Sequence, residues 1–345
     1  MDLDTARPLF VPEPGWLNTA SYGLPPAPAW EALQSALDEW RHGRVSWEGW
    51  GESTHRARAA FARLVGVEVS DVSAGAQVSQ LVGQLAASIP DGATVLAPAE
   101  EFTSNLFPWL AQQHRGVTVR TVPARDLAAA VDGATDVVAF SLVQSATGEV
   151  ADADEVTAAA RAAGAITVVD ATQACGWLPV DAAAFDAVVV GTYKWLLSPR
   201  GSAFLVTRPE LRARIVPSQA GWWAGDDPHD SYYGPPLRLA ADARRLDLSP
   251  AWFSWVGTAP ALELVADVGV DAIHAWDLAL ADRFRAGLGL PPGDSAIVSV
   301  DVPGAADRLA AAGIRAAVRD GRLRASFHLY TTTDDVDRAV AALTA

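Results

Sequence analysis

Between about Asp71 and Thr207, short apolar runs alternate with Ala-rich stretches in which apolar positions return every three to four residues. The runs Thr94–Ala97, Val117–Val122, Asp136–Val143, Ile166–Asp170, Ala187–Thr192 and Ala203–Val206 read as strands. Helical patterns over Ser104–Gln113, Ala124–Val131 and Ala153–Ala163 fall between them, giving the crossovers that parallel βαβ units require. This rhythm predicts an α/β fold on a largely parallel sheet. Such sheets bind ligands beyond the carboxyl ends of their strands, so the residues just after each run are the first place to look for chemistry.

Pro- and Gly-bearing loops run from Pro217 to Pro236, and a long helical pattern from about Pro260 to Gly287 leads into a second unit. There Ala296–Val302 and Arg322–Ser326 read as strands, and Ala305–Ala312 and Thr333–Leu343 as helices. The expected division is a large domain over residues 1–250, followed by a linking helix and a small C-terminal α/β domain over 251–345. The first fifty residues are mixed, with an amphipathic helix near Trp30–Arg41 after the loop Leu17–Pro26. No internal repeat is visible.

With 345 residues, half of them hydrophobic, the chain can bury a large core. No apolar segment is long enough to span a bilayer and no secretory leader is visible, so the expected partners exclude the membrane and the expected address is the cytoplasm. The single cysteine, Cys175, excludes an internal disulfide framework and any multi-cysteine metal site, and no metal is expected. A net charge of -15 without a compensating basic block argues against nucleic acid.

The chemistry concentrates after the strand Ala187–Thr192. Lys194 follows it, within Gly191-Thr192-Tyr193-Lys194-Trp195, and is the only lysine in the chain. Arginine serves wherever a fixed positive charge is wanted; a sole lysine points to an amine that must lose its proton. The plainer alternative is a snorkelling surface lysine. Asp170 ends the preceding strand, where a carboxylate fits a partner for a pyridinium nitrogen, or else caps the following turn. Upstream, Gly75-Ala76-Gln77 opens a helical pattern whose first backbone amides could cradle a phosphate, although glycine before a helix is also ordinary turn chemistry.

In this order, Gly75-Ala76-Gln77, Glu101-Phe102-Thr103-Ser104-Asn105, Gln144-Ser145-Ala146-Thr147-Gly148, Asp170-Ala171-Thr172-Gln173, Tyr193-Lys194-Trp195 and Arg324-Ala325-Ser326-Phe327-His328-Leu329-Tyr330 resemble the class V aminotransferase family. That family includes cysteine desulfurases and isopenicillin-epimerase-like enzymes, and the likeness extends from Leu17-Asn18-Thr19-Ala20 to the final helix. The resemblance implies the type I pyridoxal-phosphate fold, with a large doubly wound, mainly parallel sheet domain and a small C-terminal α/β domain, a homodimer, and pyridoxal 5'-phosphate held by Lys194 as a Schiff base. It implies further that Asp170 pairs with the ring nitrogen, Gln173 hydrogen-bonds near the ring hydroxyl with Ser145 close by, and Phe102 stacks on the ring where a histidine is common. Arg324 matches the residue that binds the substrate carboxylate, with Asn18 beside it; an exposed strand arginine is the alternative, since Arg315, Arg319 and Arg322 lie near. Residues 1–50 are expected close to the active site.

Departures from the family pattern are informative. Gly191 and Tyr193 stand where a phosphate-binding serine and a histidine are usual, which shifts the phosphate onto Ala76 and Gln77, with the Tyr193 hydroxyl as a further contact. Ser249, in Leu248-Ser249-Pro250, corresponds to the residue that reaches the partner subunit's phosphate. No cysteine falls late in the chain, so transfer of sulfur as a persulfide is not expected, and Cys175 reads as buried packing. Of thirteen tryptophans, Trp222, Trp223, Trp252 and Trp255, with Tyr232 and Tyr233, read either as domain packing or as an aromatic wall near the cofactor. The expected function is an aminotransferase acting on an amino acid, a small-molecule substrate, with a β-eliminating lyase or an epimerase as alternatives on the same scaffold. A cofactor-free binding protein is a further alternative, against which the lone lysine argues.

Overall fold

The computed structural model describes all 345 residues. Seven strands form the main sheet: β1 (Val72–Gly75), β2 (Thr94–Pro98), β3 (Thr118–Val122), β4 (Val137–Ser141), β5 (Ile166–Asp170), β6 (Ala187–Gly191) and β7 (Ala203–Thr207), in the order β1-β7-β6-β5-β4-β2-β3. Pairing is parallel from β3 through β6, and β7 lies antiparallel between β6 and β1. Consecutive residues of β5 and β6 feed two cores on opposite faces: Val169, Val188 and Val190 pack on one side, Val168 and Val189 on the other. Burial on both faces explains why these strands are continuous apolar runs rather than alternating ones.

Three antiparallel strands, β8 (Ile297–Val300), β9 (Ala317–Arg319) and β10 (Arg322–Ser326), form a second sheet in the order β8-β10-β9. Its core gathers Leu280, Phe284, Leu323, Phe327, Val336 and Leu343, together with Leu17 from the other end of the chain. Isolated bridges from Trp16 to Arg315 and from Asn18 to Ser326 fasten that N-terminal segment to the small sheet.

The predicted βα rhythm matches the sheet to within a few residues, and the differences have identifiable causes. Val72–Gly75 forms the edge strand β1, because four small or β-branched residues find β7 as an antiparallel partner far along the chain. The Ala124–Val131 pattern yields only a 3-10 turn and the single helical turn Leu127–Ala130. The pattern from Pro260 to Gly287 is two helices, Trp252–Val268 and Val270–Gly287, broken at Gly269, whose φ of 88° is one that glycine adopts freely. The first of these helices packs against the helix Trp47–Val65, which the sequence reading did not anticipate; with Trp255, Leu262 and Val265 buried there, it lacks the polar face by which surface helices are recognised.

One buried ion pair ties the edge strand to the loop that follows the main sheet. Arg58 and Asp247, almost wholly buried, pair through both guanidinium Nη atoms, and Asp247 Oδ1 also accepts from the Ala74 backbone amide at 2.7 Å. Leu248 N donates to Ala74 O at 2.9 Å, so β1 and the Asp247–Pro250 segment move as one piece. Removing one partner strands a charge in the core. Asp247→Asn is expected to cost about 3–5 kcal/mol, measured as a lower urea midpoint, whereas Arg56→Gln at the exposed Arg56–Glu263 pair changes it by less than about 1 kcal/mol. Equal effects at the two sites would contradict the assignment.

Candidate active site

At the carboxyl ends of the central strands an open cavity of about 570 Å³ lies against Lys194. Lys194 sits three residues beyond the end of β6, at 6% exposure, and its Nζ enters no hydrogen bond or ion pair. Its backbone is clasped from two sides. A Cβ at Gly23 would run into the Lys194 carbonyl, and one at Gly176 into the Trp195 carbonyl, so both clasping segments approach closer than any side chain would allow. Burial pushes the amine down to about 8; Asp170 draws it back up, and Arg324, Arg319 and Arg200 push it down again.

Asp170 ends β5 beside Ser141 of β4, buried, with Oδ1 accepting from Thr172 N at 2.9 Å. Burial holds its carboxyl above the usual range, opposed by its Thr172 hydrogen bonds and by Lys194. Thr172 in turn accepts from Gly191 N at 2.9 Å, joining the ends of β5 and β6. Phe102 precedes the helix Thr103–Leu110 and turns its ring toward the amine, with Nζ 5.4 Å from the ring centroid. Ala76 and Gln77 line the cavity where β1 passes into the helix Val78–Ala86, which no side chain caps. In this structure the Ala76 amide donates to Gln80 Oε1 at 3.1 Å.

Ser145, Gln173 and Arg324 form one connected group. Gln173 Nε2 donates to Ser145 Oγ and to Ala20 O, both at 3.0 Å, and Gln173 Oε1 accepts from Trp195 Nε1 at 2.8 Å. Both amide protons are thereby committed, which leaves the Ser145 hydroxyl as the freer donor on this side. Arg324, in β10 and only 1% exposed, is no surface arginine: Nη1 donates to Ser145 O at 2.6 Å, Nη2 donates to Ser21 Oγ at 2.8 Å, and Nε has no partner. Asn18 Oδ1 accepts from the same Ser21 hydroxyl at 2.7 Å. Burial, with Arg319 nearby, pushes the Arg324 guanidinium down to about 10.

Lys194, Asp170, Gln173, Phe102, Ala76, Gln77, Ser145 and Tyr193 share the cavity wall, with Gly75 next to it at the end of β1. Ser249 is exposed and lies outside the cavity of its own chain. The aromatic residues are elsewhere too. Trp222, Trp223 and Trp252 pack around Trp47 with ring centroids 4.9–5.9 Å away, Tyr232 lies against Trp222, and Trp255 is a core residue edge-on to Phe204. None of them lines the Lys194 cavity, so an aromatic cofactor wall made by this chain is not found and the packing alternative holds. Cys175 is buried, and burial alone pushes its thiol up to about 12, consistent with packing.

Several participants escaped the sequence reading. Glu101 is buried beside Phe102, accepting from the Phe102 amide at 2.8 Å, from Ser141 N at 2.7 Å and from the Ser141 hydroxyl; burial pushes it up to about 7, against those Ser141 hydrogen bonds and with Asp170 adding to the rise. His328 and Asp277, both fully buried, meet at 2.9 Å, and His328 Nε2 donates to the Trp195 carbonyl at 3.0 Å. This fixes the peptide that follows Lys194. Both residues had a signal: Glu101 adjoins the stacking position and His328 lies inside the Arg324 motif.

Residues 50–301 match the model of the Aminotransferase class-V family. The chain belongs to that family. It is 27% identical over 340 residues to an uncharacterized aminotransferase of Bacillus subtilis, covering 92% of this chain and 90% of the relative. It is 30% identical over 341 residues to the isopenicillin N epimerase of Streptomyces clavuligerus, covering 84% and 83%. A mutant of C-DES, a cystine C-S lyase, solved with glycine covalently linked to its PLP cofactor, superposes with a TM-score of 0.85 at 20% identity over 98% of each chain, a likeness of fold.

The fold is therefore the type I pyridoxal-phosphate fold, and the cofactor is pyridoxal phosphate. The cavity suits it: an unpaired amine whose proton burial makes easier to lose, a flat aromatic face and a buried carboxylate converge there. No helix is long and apolar enough to cross a membrane.

A lysine pushed down to about 8 is mostly uncharged at pH values where a solvated lysine is not. Capture of pyridoxal phosphate by the apoprotein, followed by absorbance, is accordingly expected to accelerate with rising pH with a midpoint near 8. A midpoint near the ordinary value of 10.5 would show that burial does not tune this amine.

Proposed function

We propose that the protein is an aminotransferase that passes the amino group of an amino acid to a keto acid, with Lys194 as its single base. The observation that supports this reading is how few acids and bases the cavity offers. Besides Lys194, the ionisable side chains on its wall are Asp170, Tyr193 and Arg200. Asp170 would hold the ring nitrogen, burial keeps the Tyr193 hydroxyl protonated above its ordinary range, and arginine does not give up its proton in this pH range. Phe102 faces the amine with a ring that can neither donate nor accept a proton.

Bound pyridoxal phosphate supplies an electron sink for the pair released when the substrate α-proton leaves. Lys194 Nζ takes that proton, and with the Tyr193 hydroxyl assigned to the phosphate and no second base on this chain's wall, the same amine returns it. Transamination needs one amine working in this way, whereas epimerisation calls for a donor on the opposite face. Phe102 would cover the ring, and the Ala76 and Gln77 amides, with Gly75 giving them room, and the Tyr193 hydroxyl would hold the phosphate. Ser145, positioned by Gln173, would meet the ring hydroxyl. Arg324 would grip the substrate carboxylate through the groups now spent on Ser21 and Ser145, with Asn18 steadying Ser21 beside it.

The proposed working unit is a homodimer in the cytoplasm. Trp30, Trp40, Tyr233 and Leu237 stand exposed on the single chain at 55–90%, apolar surface that a second subunit would cover, and Ser249 would reach the neighbouring subunit's phosphate.

Amino acids offered one at a time to the holoprotein are expected to convert its spectrum to that of the amino form of the cofactor, with a keto acid restoring the original. Release of pyruvate or sulfide in place of that reversible change would identify an eliminating lyase, and racemised substrate an epimerase. Arg324→Gln is expected to raise KM for the active amino acid by about 10- to 100-fold through loss of a charged bidentate contact. An unchanged KM would remove Arg324 from the carboxylate site.

A further inference from the structure

The wall that should meet the cofactor phosphate lacks the side chains expected of it: Gly191 offers none and Tyr193 offers a neutral hydroxyl. The phosphate carries close to two negative charges, and the chain as a whole carries -15. A dianion in that setting needs a cation. Lys194, committed to the aldehyde end, cannot supply it. The only other cation on the cavity wall is Arg200.

Strand register puts Arg200 at the phosphate end. β7 runs antiparallel to both of its neighbours, so its first residue, Ala203, pairs with Gly75 at the end of β1 and with Gly191 at the end of β6. Arg200 lies three residues before Ala203, at the rim shared by Gly75 and Gly191, and lines one cavity with Ala76 and Gln77. The turn that carries it is held firmly: Ser254 Oγ donates to the Arg200 carbonyl at 2.9 Å, and Gly201 takes a φ of 115° that favours glycine.

The side chain itself is uncommitted. Its guanidinium lies over the Tyr193 ring, 5.0 Å from the centroid, and has no carboxylate partner and no hydrogen bond, in a protein with 41 acidic residues. A guanidinium stacked on an aromatic ring keeps its N–H edge free, the edge that matches phosphate oxygens two at a time.

We propose that Arg200 is the cationic ligand of the cofactor phosphate in this chain, taking the place of the side chains absent at Gly191 and Tyr193. This rests on the reading of the Lys194 cavity as the cofactor site, and the test separates the two. Apoprotein is titrated with pyridoxal phosphate and, separately, with pyridoxal, which lacks the phosphate, using tryptophan fluorescence and absorbance. Arg200→Gln weakens pyridoxal phosphate by about 10- to 100-fold and leaves pyridoxal unchanged; Arg200→Lys, which keeps the charge, loses less. Inorganic phosphate strengthens pyridoxal binding in the wild type and not in Arg200→Gln. If Arg200→Gln weakens both aldehydes alike, or neither, the assignment is overturned. It is equally overturned if pyridoxal phosphate binding is untouched while acidic amino acids bind more weakly, which would place Arg200 in the substrate site. Wild-type protein that captures neither aldehyde overturns the cavity reading itself.

Discussion

An amine buried in protein without a partner is costly as a cation, and everything around Lys194 works with that cost. Burial makes the proton easier to lose, and three arginines in reach reinforce the effect while Asp170 opposes it. The two clasping glycines, Gly23 and Gly176, let backbone crowd the loop so that the side chain has one place to go. The Trp195 peptide, gripped by His328 and backed by Asp277, holds the loop from behind, and the Trp195 indole passes that order to Gln173, Ser145 and Arg324. The segment after Lys194, Gln173, Ser145 and Arg324 thus belong to one hydrogen-bonded frame, although they come from the main sheet's loops and from β10 of the small sheet.

The N-terminal segment shows why the small unit must sit where it does. Asn18 and Ser21 reach Arg324 only because residues 16–18 bridge to the small sheet and Leu17 fills its core. A sequence pattern cannot show this, since the contacts join residues some three hundred positions apart. By contrast, β5 and β6 were plain in the sequence: a strand buried on both faces reads as an apolar run, and Asp170 closes the first while Lys194 follows three residues after the second. Asp170 and Lys194 were legible for that reason. β1 was not, because a four-residue edge strand takes its identity from β7, which local periodicity does not reveal; the helix Trp47–Val65, by contrast, carries an amphipathic pattern of its own.

The arginines were the hardest to read. Arg324 and Arg58 look alike along the chain, yet Arg58 spends its charge on Asp247, whereas Arg324 meets only the neutral oxygens of Ser145 and Ser21. What separates a structural arginine from a binding one is whether an acid stands opposite it, and that is a property of the folded molecule. The aromatic residues teach the same lesson in reverse. Their abundance hinted at a substrate wall, but indoles attract one another, and Trp47, Trp222, Trp223 and Trp252 bury themselves together away from the amine.

The account stands on Lys194 carrying the cofactor, and its being the only lysine makes a direct measurement possible. Holoprotein reduced with borohydride and digested is expected to yield one pyridoxyl-phosphate label per chain, on the peptide containing Lys194. A label confined to the N-terminal amine of Met1, or an unlabelled chain whose cofactor washes away after reduction, would contradict the account.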